Sequence, residues 1–220
     1  MNRDSFEYLI KIVGPAFLDT LFMVVFTTLI AFVLGFAVAV VLIVTDKDGL
    51  KPNPIVYKTL DAIVNVIRSF PFIILMVAII PFTRFIIGSS IGRKAALVPL
   101  IVATTPFIAR LIESNLKEVD KGLIEAGKSF GASTTQIVFK IMVKEAIPSI
   151  ISSLTFVVIA VLGSTAIAGT VGAGGLGSVA ITYGYQSFND TIMYGIVVIL
   201  IILVQIIQLF GKKIYERSMK

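Results

Sequence analysis

The composition of this 220-residue chain is that of an integral membrane protein, because 57% of its residues are hydrophobic and 15% are charged, whereas a soluble domain has about 25% charged residues. Cysteine and histidine are both absent, which excludes disulfide bonds, Cys or His metal sites and proton relay through histidine. The net charge of +6 is expected to set the orientation of the chain in a membrane rather than to bind nucleic acid.

Five apolar segments are predicted to cross the membrane. A span needs about 20 mostly apolar residues, and it must be helical because lipid offers no partner for free backbone groups. We expect spans at residues 17–44, 57–85, 94–116, 146–171 and 191–211. Arg68 and Arg110 interrupt the second and third of them. The predicted fold class is therefore all-α integral membrane, with one transmembrane domain over residues 1–220.

Small residues recur along one side of the first predicted span. Ala31, Gly35 and Ala39 stand at every fourth position, which places them on one helix face. Such a face suits close contact with another helix. The pattern fits equally well with the general abundance of small residues in membrane spans.

The distribution of Lys and Arg predicts that the N-terminus lies outside and the C-terminus inside. With this orientation, 13 Lys and Arg residues fall in inner segments and 5 in outer segments, as the positive-inside rule requires. Residues 172–189 contain neither Lys nor Arg, which is expected of an outer loop.

A charge-rich segment, residues 117–145, lies between the third and fourth predicted spans on the predicted cytoplasmic side. Asp120 is placed to cap a short helix, and Gly131 suits the position after it, where φ is commonly positive. Ser133 and Gln136 fit a capping box that opens a second helix. We therefore expect a short helix lying across the membrane surface, a tight turn and a second helix. From these residues alone, a docking element for another protein and a solvated interfacial helix are equally good interpretations.

Two matches to nucleotide-binding motifs fail on their context. Residues 122–129, GLIEAGKS, match the phosphate-binding loop, but the preceding residues are too charged for a buried strand and no soluble α/β domain fits between the spans. Residues 172–177, GAGGLG, match the dinucleotide fingerprint, but they lie between a span and an outer loop. We expect the second motif to serve backbone flexibility or close packing.

Residues 125–148, EAGKSFGASTTQIVFKIMVKEAIP, resemble the EAA loop of ABC importer permeases. The family pattern is Glu-Ala-Ala, three residues, Gly, and then nine residues before Ile-x-Leu-Pro. The chain matches it at Glu125, Ala126, Gly131 and Ile141.

The chain departs from this pattern at three positions. Gly127 replaces the second Ala, Val143 replaces Leu and Lys144 replaces Pro. The glycine is expected to loosen the short helix by up to about 1 kcal/mol relative to Ala.

The resemblance extends over most of the chain and is closest to methionine importer permeases. Residues 65–92 resemble their second span and outer loop, residues 98–116 their third span, and residues 169–189 the region after their fourth span. The Gly-rich piece also occurs in permeases for betaine and related solutes. The assignment of methionine therefore depends above all on residues 65–92.

The resemblance implies the fold of a type I ABC importer permease with a cytoplasmic coupling helix. In that family two permease copies form the pathway, two ATP-binding cassette ATPase subunits bind ATP and Mg and dock on the EAA loops, and an extracytoplasmic substrate-binding lipoprotein delivers the ligand. The chain is thus expected to be a multi-pass permease of the cell membrane rather than an enzyme, with no cofactor of its own. It would move L- and D-methionine by alternating access.

The resemblance and the chemistry of the spans together give three groups of candidate site residues. The ATPase-coupling residues are Leu123, Ile124, Glu125, Ala126, Gly127 and Gly131. The translocation-pathway residues are Ser164, Thr165, Thr170, Ser69 and Pro71. The charges with a structural role are Asp61, Arg68, Arg110 and Glu113.

The spacing of these charges suggests their partners. Asp61 and Arg68 are seven residues apart and share a helix face, so either they pair or Arg68 bonds loop carbonyls. Arg110 and Glu113 are three apart and are expected to pair locally.

Other functions would place different demands on the sequence. An ABC permease for another amino acid or an osmolyte fits the same residues. An ion-coupled secondary transporter would carry inverted repeats and an intramembrane acid facing the pathway, and no repeat is visible. A membrane anchor for a regulatory complex would not need the Gly-rich exit of the fourth span. A membrane enzyme would need a nucleophile with its base, or a ligand cluster, and neither is visible.

Overall fold

The computed structural model describes the backbone of residues 3–219 and the side chains of residues 11–219. The regular secondary structure of these residues is helical, without strands. In chain order the helices are α1 Arg3–Thr45, α2 Pro54–Ser69, α3 Phe72–Ala78, α4 Ile80–Ile87, α5 Arg93–Lys117, α6 Lys121–Ser129, α7 Thr134–Gly169, α8 Gly175–Val179 with its π-helical continuation Ala180–Tyr185, and α9 Asp190–Ser218. The all-α prediction is confirmed.

Within the described residues, four helices are long and apolar enough to cross a membrane: α1 from Lys11, α5, α7 and α9. Helices α2 and α3 meet the same test together, although the pair is bent by 104° at the break between them. The number of candidate spans is therefore four, or five if the bent pair counts as one.

The segment predicted as the second span, residues 57–85, is divided among three helices. Pro71 stands at the first break with φ −57° and ψ 133°; it lacks an N–H and disfavours helical geometry at the residue before it. A second proline, Pro81, lies in the first turn of α4, where its fixed φ is tolerated. Helix α4 then ends at Gly88, whose φ is +80°.

Two helices begin earlier than the predicted spans within them. Helix α1 begins at Arg3, not at residue 17, and contains Pro15. Helix α7 begins at Thr134, so the second helix of the charge-rich segment and the fourth predicted span form one continuous helix. Residues Ile137–Met142 of α7 are π-helical.

The chain divides into two compact units, of which the first comprises residues 1–30, 70–103 and 158–208. Its core is the buried cluster Met23, Met76, Ala96, Leu100, Ala168 and Ala173. The Gly-rich segment packs tightly here: the N–H of Leu176 donates to Thr20 Oγ1 at 2.9 Å. A Cβ on Gly175 would lie 2.8 Å from the same oxygen. The expectation of close packing for this segment is confirmed.

The second unit comprises residues 31–69, 104–157 and 209–220. Ala31 and Ala39 are fully buried. A Cβ on Gly35, between them, would lie 2.8 Å from both the carbonyl oxygen of Thr105 and Cγ2 of Ile108 on α5. The small residues of α1 therefore form a close helix contact. Their spacing does not need to be explained by the general abundance of small residues in membrane spans.

Candidate functional site

The short helix of the charge-rich segment is defined at both ends by hydrogen bonds. Asp120 caps α6, since its side chain accepts from the N–H of Gly122 at 2.6 Å. At the other end, Gly131 has φ +75°. Its N–H donates to Lys128 O, and the N–H of Ala132 donates to Gly127 O, both at 3.0 Å. This is a Schellman ending, and both predicted helix limits are confirmed.

The turn leads directly into α7 through the predicted capping box. The N–H of Gln136 donates to Ser133 Oγ at 3.3 Å, and the N–H of Ser133 donates to Gln136 Oε1 at 2.8 Å. Only two residues, Gly131 and Ala132, separate the C-cap Phe130 from the N-cap Ser133. The geometry of the turn is thus determined on both sides.

Gly127 lies where α6 packs on α7. Gly127 is buried, and a Cβ there would lie 2.5 Å from Ile141 Cδ1 and 3.6 Å from Ile137 Cγ1. An alanine at this position would therefore require the end of the Ile141 side chain to move.

The other predicted coupling residues of α6 form a largely exposed surface. Glu125 and Ala126 are exposed, Leu123 is 43% exposed and Ile124 is half-buried. Phe130, which was not among the predicted residues, is 91% exposed at the end of the helix. Phe130 could have been singled out from the sequence, because it is a lone aromatic residue in a charge-rich turn. An apolar, exposed helix face with one carboxylate can dock in a groove of another protein.

A cluster of charges in the second unit is centred on Glu113, whose side chain is only 3% exposed. It accepts from Arg110 Nη1 at 2.7 Å, from Lys117 Nζ at 2.8 Å and from Tyr57 Oη at 3.3 Å. A buried carboxylate needs such partners because its desolvation costs several kcal/mol. The predicted Arg110–Glu113 pair is confirmed. Lys117 was missed, although it stands four residues after Glu113.

The same cluster joins α2 to α5. Arg110 Nη2 donates to Asp61 Oδ1 and also to Asn65 Oδ1 at 3.0 Å, and Asn65 Nδ2 donates to Asp61 Oδ2 at 3.0 Å. Asp61 is thus paired with Arg110 and not with Arg68, which is exposed. Neither the Asp61–Arg68 pair nor a bond from Arg68 to a loop carbonyl occurs among the described residues.

A further ion pair lies just outside the spans. Lys117 Nζ contacts Asp46 Oδ2 at 2.7 Å in the loop after α1. Burial alone would raise the pKa of Asp46, but the Lys117 ammonium and the N–H of Asp48, together with Tyr57, hold the pKa below its ordinary value. Asp46 is therefore ionised at neutral pH.

The candidate pathway hydroxyls all donate to carbonyl groups of their own helices. Ser164 donates to Ala160 O at 3.0 Å, Thr165 to Leu162 O at 2.7 Å, Thr170 to Ile167 O at 2.7 Å and Ser69 to Asn65 O at 2.8 Å. Thr165 is buried and Ser164 half-buried, whereas Thr170, Ser69 and Pro71 are exposed. Their assignment to a pathway remains a prediction.

Comparison with known proteins places these features in a family. Residues 43–219 match the family model described as "Binding-protein-dependent transport system inner membrane component". The chain is 48% identical over 199 residues to the "Probable D-methionine transport system permease protein MetI" of Vibrio cholerae, covering 90% of this chain and 88% of that protein. It is 46% identical over 170 residues to the "Methionine import system permease protein MetP" of Bacillus subtilis, covering 77% of each.

A solved structure with the same fold is also known. The chain superposes with a TM-score of 0.93 and 43% identity on a chain of "Inward facing conformations of the MetNI methionine ABC transporter", covering 99% of both chains.

Proposed function

Because the chain belongs to the family of binding-protein-dependent transport system inner membrane components, and is thus a multi-pass protein of the cell membrane, we propose that it is the permease subunit of an ATP-driven methionine importer. The relatives at 46–48% identity are named as methionine permeases. We extend the substrate to both L- and D-methionine, since one relative is named for the D form.

The proposed assembly contains two copies of this chain, two ATPase subunits that bind ATP and Mg, and an extracytoplasmic substrate-binding lipoprotein. Similarity to a chain of the MetNI transporter supports this composition. The permease itself performs no chemistry. It provides the route, which opens alternately to the two sides of the membrane.

The observation that carries the proposal is the rigid, exposed α6. Asp120 closes one end, the Schellman turn closes the other, and Gly127 lies against Ile141. We expect a helix capped at both ends to keep its shape when a partner pushes on it. Movement of an ATPase groove that holds the exposed residues Leu123, Glu125 and Ala126 is therefore passed on to α7. This is the proposed coupling step. We also propose that the N-terminus of the chain lies outside and the C-terminus inside, which places α6 on the cytoplasmic side.

An uptake assay tests both the importer class and the substrate. Cells that express this chain with its ATPase and binding protein are given labelled methionine, and Glu125→Arg is compared with Glu118→Arg. Glu118 is also exposed but lies outside α6. We expect Glu125→Arg to lower uptake at least tenfold and Glu118→Arg to retain most of it.

Three results would contradict parts of the proposal. Uptake that persists without the ATPase would refute the importer class. ATP-dependent uptake of another amino acid or an osmolyte, and not of methionine, would refute only the substrate. Equal uptake by the two charge-reversal variants would refute the role of α6.

A further inference from the structure

Helix α2 carries a polar stripe on one face. It consists of Lys58, Asp61, Asn65, Arg68 and Ser69. At 3.6 residues per turn, these five positions fall within about 100° of the helix circumference. Asp61 is half-buried and the other four are exposed. A helix inside a predicted span therefore presents a continuous polar face.

The other two faces of α2 are apolar and serve different surroundings. Val64 is buried, and Leu60 and Ile67 on the same side are half-buried. Between this side and the polar stripe, Ile63 is 50% exposed and Val66 57% exposed. Lipid suits this exposed apolar face. It does not suit the polar stripe, because polar and charged groups in a span face protein or water.

The charges on the stripe are only partly compensated. Asp61 is engaged by Arg110 and Asn65. Within residues 11–219, Lys58 and Arg68 make no ion pair. Two exposed cations without a carboxylate partner need water around them. Their field attracts anionic groups and repels cations.

We propose that the polar stripe of α2 lines the water-filled route of the permease, and that Arg68 and Lys58 draw the carboxylate group of an amino acid into it. The proposal rests on the proposed function and assigns Arg68 to the route, which the sequence placed among structural charges. Asp61 lies between these two cations along α2, and its charge is compensated by Arg110.

The absence of cysteine in the chain allows a direct test by single cysteine substitutions in the complete transporter. In membrane vesicles with the ATPase assembled, Asn65→Cys is compared with Val66→Cys, and Ser69→Cys with Ile63→Cys. Asn65 and Val66 differ in depth by about 1.5 Å only. We expect a hydrophilic thiol reagent to modify the stripe positions at least tenfold faster, because a thiol in lipid does not ionise to the reactive thiolate.

Two results would overturn the placement. Modification of Asn65→Cys and Ser69→Cys as slow as that of the apolar positions would show that the stripe is not in water. A disulfide between two copies at Asn65→Cys, together with slow modification of Ser69→Cys by the reagent, would show that the second copy covers the stripe. Ser69→Cys keeps the size of the side chain and disturbs only a bond within α2, so it tests the proposal even if Asn65→Cys fails to assemble.

The charge of Arg68 is tested at the same position. At Ser69→Cys, the modification rate by an anionic reagent is divided by that of a cationic one, each relative to a free thiol. Addition of Arg68→Gln should lower this ratio by about threefold or more. One charge about 6 Å away in water changes each rate about threefold, in opposite directions for the two reagents, and salt screens part of this effect. Lys47→Gln, which removes an exposed charge in the loop after α1, should leave it unchanged. An unchanged ratio with Arg68→Gln would refute the role of Arg68.

The proposal and the proposed function can fail separately. Loss of the methionine assignment would leave the labelling pattern intact, since the pattern needs only a water-filled route. Absence of labelling with normal methionine uptake would refute the stripe alone.

Discussion

Replacement of Glu113 by Gln is expected to lower the free energy of unfolding by about 1–3 kcal/mol. Removal of one partner from a fully buried ion pair costs about 3–5 kcal/mol, and the Glu113 side chain is 3% exposed. The expected loss is smaller here because its partners are partly exposed and each keeps another carboxylate. Arg110 retains Asp61 as a partner. Lys117 likewise retains Asp46.

Unfolding of the detergent-solubilised permease, followed through its helical circular dichroism as SDS is added, measures this change. The matched control is Glu216→Gln. Glu216 pairs with Lys212 at 3.8 Å, but their side chains are 60% and 74% exposed. An exposed pair is worth about 0–1 kcal/mol, so this variant should unfold almost as the parent does. Equal losses in the two variants would refute the argument from burial, and so would an unchanged stability of Glu113→Gln.

Three further changes probe other contacts. Gly127→Ala should reduce coupled uptake. Adding Ile141→Val should restore part of it, because that change removes the Cδ1 atom 2.5 Å from the new Cβ. Lower uptake by the double variant than by Gly127→Ala would contradict the contact. Thr20→Ala leaves the buried N–H of Leu176 without its acceptor and should lower the free energy of unfolding by about 1–3 kcal/mol in the same assay. Thr20→Ser keeps the hydroxyl and should lower it much less. Equal losses in the two variants would refute the hydrogen bond. The pKa of Asp46 is held below its ordinary value, so its contribution to stability is present above about pH 4 and is lost as pH falls further. Asp46→Asn should therefore lower the free energy of unfolding at pH 7 but not at low pH. A difference in stability between this variant and the parent that does not shrink on acidification would refute the ion pair.

The parts of the site that the sequence predicted correctly obey local rules. Asp120 as a cap, Gly131 with positive φ and the capping box of Ser133 involve residues at most three positions apart. The Arg110–Glu113 pair lies within one turn of α5. Such contacts follow from helix geometry alone, whatever the rest of the chain does.

The parts that were missed depend on how helices pack. Arg110 meets Asp61 across 49 residues of sequence, and no spacing rule connects α5 with α2. The contact that a Cβ at position 127 would make is with Ile141, on the next helix. The break at Pro71 could have been inferred from its missing N–H, but the apolar character of residues 57–85 concealed it.

Asn65 links the charge cluster to the polar stripe. Its amide donates to Asp61 and accepts from Arg110, so it closes a ring of hydrogen bonds with the ion pair. Both carboxylate oxygens of Asp61 are engaged in this ring. Arg68, two turns further along α2, is therefore left exposed. Its spacing of seven residues would have allowed Arg68 to pair with Asp61. In the proposed route, Arg68 instead faces the carboxylate of the substrate.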